Sequence, residues 1–473
     1  MKEKVITSRS EDYSEWYLDV IREAELAENG PARGTIIIKP NGYAIWEAVQ
    51  NELNQRFKEL GVRNVYFPLL IPEKLISMEK EHIEGFAPEV AVVTYAGGKE
   101  LEEKLILRPT SETIMYETFS RWIQSYRDLP LLINQWANVV RWELRPRLFL
   151  RGTEFLWQEG HTAHSTETEA DEFSRKILQL YKNFFETFLA IPVISGVKPD
   201  LEKFAGALRT YTLEAMMQDG KALQVATSHN LGQNFSKAFN IKFLDQNQQA
   251  NFVWQTSWGV STRVIGALVM THSDDNGLIL PPSVAPTAVI VTLVGEITSA
   301  LIRFGQEVLL TLKNNGFTAE VDDRPIRPGN KFYEWERKGV PLRLEIGQTE
   351  LKSSKLVASR RDNFEKFTFS VSNLVDTVRN TLNEIQKNLF RIAQERLERN
   401  IIEVETWNQF LDAINSNKFV KAFIDPSREI LTKIKEETLA TLRCIPLTEQ
   451  NEEGFCVKSN KSAKVKGIFA KAY

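Results

Sequence analysis

Apolar residues recur every three or four positions along several stretches, and these stretches predict helices. Ile45, Val49, Leu53, Phe57 and Leu60 make such a stripe over residues 41–60, and Gly61 closes it as a C-terminal cap. The apolar run at 64–71 reads as a strand. Pro68 lies inside it and has no N–H for a ladder, so this strand belongs at a sheet edge or a subunit interface. A second helix is predicted from Ser111, placed as N-cap, to about Tyr126. Residues 136–141 and 154–159 read as an antiparallel pair around the loop 143–152. Phe173, Ile177, Leu180, Tyr181, Phe184 and Phe188 give one apolar face to a helix over 169–189. Residues 257–270 read as a turn and strand entering a helix or a buried strand.

The pattern changes after Leu280-Pro-Pro-Ser-Val-Ala-Pro286, which reads as a linker. Strands at 287–293, 318–321 and 342–346 alternate with helices at 298–315 and 330–338. A hairpin through 356–359 and 366–371 follows, which predicts a small mixed α/β domain. A long helix is expected over 374–399, then a short mixed tail. The expected domains are therefore 1–282, 287–400 with its linking helix, and 401–473.

Composition narrows the function classes. Of 473 residues, 42% are hydrophobic and 26% charged, which fits a globular chain and excludes a disordered one. The net charge of −3 gives no bulk attraction to nucleic acid, so any such surface must be local. Residues 321–361 hold ten basic and six acidic side chains, a local excess of the right sign for phosphates. The only cysteines, Cys444 and Cys456, exclude a disulfide framework, an iron–sulfur cluster and an all-cysteine zinc site. No apolar run reaches membrane-spanning length and the first residues lack an export core, so a cytoplasmic protein is expected.

Four constellations carry candidate chemistry. Residues 141–151 hold four arginines and Glu143, flanked by aromatics, which suits polyphosphate oxygens or a solvated salt-bridged hairpin. Arg108-Pro-Thr-Ser-Glu-Thr113 offers a hydroxyl and a carboxylate to an amino group, or a capping box. Gln224-Val-Ala-Thr-Ser-His-Asn230 packs an amide, two hydroxyls and an imidazole together, as a site or as a polar strand end. Arg263 stands alone in an apolar, glycine-containing segment, which is costly unless it is paired. His161 and His164 lack a third ligand at metal spacing, and neither common nucleotide-binding glycine motif occurs.

Together these segments resemble class II aminoacyl-tRNA synthetases, and nearly the whole chain is similar to the archaeal/eukaryotic-like type of the prolyl-tRNA synthetase family. The 41–60 helix with the Pro68 strand looks like motif 1. Arg141-Trp-Glu143 through Glu154-Phe155 looks like motif 2, and Gly259-Val-Ser-Thr-Arg263 like motif 3. Arg108–Thr113, Phe155–His164, Lys203-Phe-Ala-Gly-Ala207 and the terminal Phe469-Ala-Lys-Ala-Tyr473 are the more specific stretches.

The resemblance implies an α+β protein: an antiparallel-sheet catalytic domain, an α/β anticodon-binding domain and a small C-terminal α+β module of the zinc-binding type. It implies activation of L-proline by ATP with Mg²⁺, transfer to proline tRNA, and a homodimer formed through motif 1, with neither DNA nor membrane as partner. Arg141 and Arg263 would act on the phosphates. Glu143, Arg151, Phe155, Gln224 and Thr227 would complete the ATP site. Thr110, Glu112, His229 and Ser261 would hold proline with Arg141, lined by Trp157, Glu159 and His161. Lys331, Phe332, Glu336 and Arg343 are the candidates for reading the anticodon. The alternatives are another class II specificity and a catalytically silent tRNA-binding paralogue.

Two departures from the family pattern matter. The four cysteine positions of its zinc module read Asp425, Ile430, Cys456 and Ser459, so no zinc is expected. The spacing from Glu159 to Ser257 leaves no room for the large editing insertion of the bacterial type. Alanine is smaller than proline and cannot be excluded by size, so binding alone discriminates weakly. The expected outcome is detectable alanine-dependent pyrophosphate exchange without cleavage of alanyl-tRNA; cleavage by the purified protein would contradict the second half.

Overall fold

The computed structural model describes residues 6–76, 90–447 and 453–473. Its centre is an eleven-stranded sheet. Along the chain its strands are β1 (Arg63–Asn64), β2 (Leu131–Val140), β3 (Glu154–His164) and β4 (Val193–Val197). They continue with β5 (Arg209–Met216), β6 (Ala222–Gly232) and β7 (Trp254–Ser261). The last four are β8 (Ile401–Glu403), β9 (Phe419–Phe423), β10 (Thr441–Pro446) and β11 (Lys466–Ala470). In space they run β8-β9-β11-β10-β4-β5-β6-β7-β3-β2-β1. Neighbours are antiparallel except the two outermost pairs.

An antiparallel sheet has two chemically independent faces, because side chains alternate. One face packs under the helices Pro40–Glu59, Glu167–Asn183 and Arg263–His272. Trp258 anchors that face, with its ring 4.9 Å from Phe57 and 6.4 Å from Tyr181. Gly160 lies opposite Trp258 in the ladder, and a Cβ there would stand 2.2 Å from the indole, so only glycine fits. The alternate residues of β3 and β7 therefore point to the other face, where the cavities lie.

The helix at 41–60 forms as expected and begins at Pro40. The strand expected over 64–71 is split. β1 pairs only with the edge of β2, and Leu70–Pro72 joins Lys99–Leu107 and Ala91–Ala96 in a separate three-stranded sheet. Between them the Phe67 N–H donates to Gln135 Oε1 at 2.9 Å, and Pro68 sits where no ladder donor is needed. The helix after Ser111 stops at Trp122, and Tyr126–Asp128 is a separate 3-10 turn with Ser125 as its cap. The helix at 169–189 starts earlier and ends in a π turn at Phe184–Phe188.

The second unit is a five-stranded sheet in the order Ala319–Asp322, Val289–Leu293, Leu342–Ile346, Lys355–Arg360, Lys366–Ser370. The first three strands are parallel and the last two form the expected hairpin. The tail has its own apolar core around Phe410, Ile434 and Phe469. It does not stand apart from the catalytic region, because β10 pairs with β11 at one end and with β4 at the other. Tyr473 reaches back further, and its hydroxyl donates to Asp219 Oδ2 at 2.6 Å. No helix of the described residues is long and apolar enough to cross a membrane.

Candidate active site

The open face of the sheet brings the sequence candidates together by register alone. Glu159 on β3 faces Gly259 on β7, which faces Thr227 on β6. Two residues along, His161 faces Ser257, which faces His229. Trp157 faces Ser261 in the next row. Gln224 joins the same wall because β6 slips one residue against β5 beside Val225. These residues, with Thr110, Glu112, Phe155, Arg141 and Arg263, line a cavity of about 360 Å³. It adjoins a larger one of about 660 Å³, walled by Glu143, Arg151, Phe155, Gln224 and both of those arginines. Every catalytic-domain candidate thus lines one of the two joined spaces.

Charge divides this space. Arg141 follows β2 directly, and its Nε donates to the Pro109 carbonyl at 2.9 Å. Its guanidinium lies 5.6 Å from the Phe155 ring and 5.4 Å from the Trp157 ring. Arg263 opens its helix, and its side chain donates to the carbonyls of Leu150 and Gln224, each at 3.3 Å. Burial pushes its pKa down to about 10, with Arg141 and Arg151 adding repulsion, so it stays charged at neutral pH. Two guanidinium groups facing one cavity make a site for anionic oxygens. Trp157 Nε1 and Ser257 Oγ are buried on the same walls and, among the described residues, have no hydrogen-bond partner, as donors awaiting a ligand would.

Two carboxylates, Glu112 and Glu159, line the smaller space and not the larger. Ser111 and Gln135 donate to Glu159 Oε1, and His161 Nε2 lies 3.1 Å from Glu159 Oε2. Thr110 donates to Glu112. Ser111 therefore does not cap its helix by side chain, and the capping-box reading gives way to a network around Glu159. His229 is the opposite case: burial pushes its pKa down to about 3, and its Nδ1 lies 3.0 Å from the Thr210 hydroxyl. Phe204 stacks on its ring at 4.6 Å.

Sequence reasoning missed the site roles of Ser111, Gln135, Phe204 and Tyr116, whose hydroxyl lies 3.1 Å from His161 Nδ1; their chemistry is ordinary and their roles come from position alone. It also missed Glu214, although an isolated carboxylate in the apolar run 211–217 carries the same signal that exposed Arg263. In the second unit Lys331 is a correction. It is wholly buried, and its Nζ donates to the Leu293 and Asp322 carbonyls at 2.8 and 3.1 Å, so it is spent inside the domain. Phe332, Glu336 and Arg343 do cluster: Arg343 lies 4.0 Å from the Phe332 ring and 2.8 Å from Glu336. At the four zinc-type positions, Cys456 Sγ accepts from the Ser459 N–H at 3.4 Å. Among the described residues no group of three or more His, Cys, Asp or Glu is placed to hold a metal ion.

His161 carries a pH prediction. Burial pushes its pKa down, but the Glu159 hydrogen bond and the charges of Glu112 and Glu159 outweigh this and raise it above the ordinary 6.5. A histidine raised on folding stabilises fully below its unfolded pKa, and that contribution is lost as pH rises through the folded value. The stability gap between wild type and His161→Gln, read from urea midpoints, is therefore expected to be largest near pH 6 and to narrow at alkaline pH. A gap that stays constant or widens on raising the pH contradicts a charged His161.

Three family models match the chain: the tRNA synthetase class II core domain (G, H, P, S and T) over residues 93–272, an anticodon binding domain over 287–381, and the prolyl-tRNA synthetase C-terminal domain over 407–473. A proline–tRNA ligase of Parabacteroides distasonis is 50% identical over 488 residues, covering 99% of both chains. One of Chlorobium chlorochromatii is 52% identical over 479 residues, again covering 99% of both. A solved prolyl-tRNA synthetase from Cryptosporidium parvum, complexed with halofuginone and AMPPNP, superposes with a TM-score of 0.95 at 40% identity, over 100% of this chain and 98% of that one. With relatives of this identity matched along its whole length, the chain belongs to the prolyl-tRNA synthetases.

Proposed function

We propose that the two joined cavities bind L-proline and ATP, and that the chain ligates proline to its tRNA through an adenylate. The observation that carries this is the division of charge along one open sheet face. Glu112 and Glu159 suit the cationic imino group of proline, while Arg141 and Arg263 suit its carboxylate and the phosphates. In the first step a carboxylate oxygen attacks the α-phosphorus, and pyrophosphate leaves. In the second a ribose hydroxyl of the tRNA terminus attacks the carbonyl carbon, and AMP leaves. Neither step needs a protein nucleophile, so the residues act by alignment and charge stabilisation.

Phe155 offers a flat face for the adenine, and Thr227 and Gln224 offer polar contacts below it. Magnesium, a hard cation that takes oxygen ligands, would neutralise phosphate charge beside oxygen donors such as Glu143 and Gln224. The dimer would form at the free edge of the sheet, where Tyr66 is 71% exposed and Trp122 47% exposed. Phe332 and Glu336 would meet the anticodon, held in place by the buried Arg343 between them, since unpaired bases can be read by stacking and edge hydrogen bonds.

Arg263 gives the sharpest test. Among the described residues it has no ion-pair partner, so replacing it removes a buried charge without stranding another. Arg263→Ala is expected to lower proline-dependent pyrophosphate exchange, and with it charging of proline tRNA, by at least about 100-fold. Its thermal unfolding midpoint should match or exceed that of wild type. Exchange at the wild-type rate would overturn the motif 3 assignment. Charging tested across amino acids separates proline from another class II specificity, and no charging at all would favour a silent paralogue.

The donor set at Asp425, Ile430, Cys456 and Ser459 keeps one thiol of four and does not fit a tetrahedral thiolate site. Elemental analysis of protein purified without chelator should find far less than one zinc per chain. A stoichiometric zinc would refute this.

A further inference from the structure

A buried charge cluster lies beneath the nucleotide end of the cavity and has no part in the chemistry above. Glu214 on β5 is fully buried. Arg443 on β10, which lies 229 residues further along the chain, donates to Glu214 Oε2 through Nε at 3.0 Å and Nη2 at 2.9 Å. Lys198 Nζ stands 3.0 Å from Oε1, which also accepts from the Thr212 hydroxyl. Burial pushes the Glu214 carboxyl up, but Lys198 and Arg443 outweigh it and hold the group below the ordinary carboxylate range. Lys198 and Arg443 also wall the larger cavity together with Gln224 and Arg263.

Two irregular backbone positions meet at this cluster. β10 slips against β11 between Leu442 and Cys444, so Arg443 is the extra residue of a bulge. β6 slips against β5 in the same way, so Leu213 faces Ala226 while Glu214 faces Gln224. Bulges redirect side chains and are enriched beside active sites. Their combined effect is a short relay. Arg443 grips Glu214, Glu214 stands opposite Gln224, and the Gln224 carbonyl accepts from Arg263 Nη1 at 3.3 Å. Among the described residues no carboxylate bonds Arg263, so the backbone at Gln224, with that at Leu150, sets where its guanidinium lies.

We propose that Arg443 is a positioning residue for the nucleotide. By clamping Glu214 it fixes β6 at Gln224 and hence the Arg263 guanidinium, so that the C-terminal module completes the ATP half of the site. This rests on the reading of the cavity as a proline and ATP site.

The test compares full-length Arg443→Met and Arg443→Lys with wild type in proline-dependent pyrophosphate exchange, varying ATP and proline separately. The methionine variant is expected to lose about tenfold or more in kcat/KM for ATP, with KM for proline held within about twofold. The lysine variant, which keeps a cation on Glu214, should recover most of the loss. If the methionine variant does not fold, Glu214→Gln, which keeps the shape, carries the same expectation. Wild-type kinetics in the methionine variant overturn the proposal. So does a loss that falls on kcat alone in proportion to the folded fraction. A wild-type protein without exchange overturns the functional reading and this proposal together, whereas an active wild type matched by Arg443→Met overturns only the role of Arg443.

Discussion

Strand register is the constraint on which the rest of this molecule depends. In a sheet buried on one face and open on the other, a slip of one residue exchanges every side chain between the two. On β3 it would replace Glu159 with Gln158 or Gly160, and on β7 it would turn Trp258 into the cavity. The register is held from the packed side. Trp258 seats on Gly160 among Phe57 and Tyr181, a fit that leaves no space for a Cβ at that glycine. The hydrophobic core thus decides which polar residues face the cavity.

Once register is fixed, electrostatics does the sorting. Glu159 and His161 share a strand face with Trp157 and lie at the end of the cavity away from Arg263. The acidic end is heavily satisfied: Ser111, Gln135 and His161 all bond to Glu159. At the basic end, among the described residues, Arg263 is held by carbonyl oxygens alone. A buried charge with weak internal partners costs stability, and an anionic ligand repays that cost where it binds. The asymmetry makes one end a rigid, pre-bonded cradle and the other a receptor that is completed by its substrate.

Much of this was legible in the sequence. Helical spacing gave the 41–60 and 374–399 helices, and strand–helix alternation gave the second unit. The isolated charge of Arg263 and the crowded arginines of 141–151 pointed to the cavity. What stayed hidden depends on pairing between distant segments. Nothing local says that Gln224 and Thr227 share a wall, since three residues along a regular strand should oppose each other; the slip beside Val225 brings them together. Lys331 read as a surface cation because composition cannot show that two strand-end carbonyls wait for it. The 64–71 run looked like one strand because its apolar residues serve two different sheets.

The tail is held by packing and strand pairing. Where a structural metal holds a fold, its binding energy is folding energy, and losing the ligands should cost the fold. Here three of the four positions that the resemblance assigns to cysteine hold Asp425, Ile430 and Ser459, and the segment is anchored in other ways. Phe410 and Phe469 pack at 5.2 Å in its core, and Trp407 stacks on Phe410 at 4.9 Å. β10 is bonded to β11 on one end and to β4 on the other, and Cys444 fills the space left by Gly196. The module is a continuation of the catalytic sheet rather than an attachment to it. Pairing with the catalytic sheet therefore also holds the tail in place.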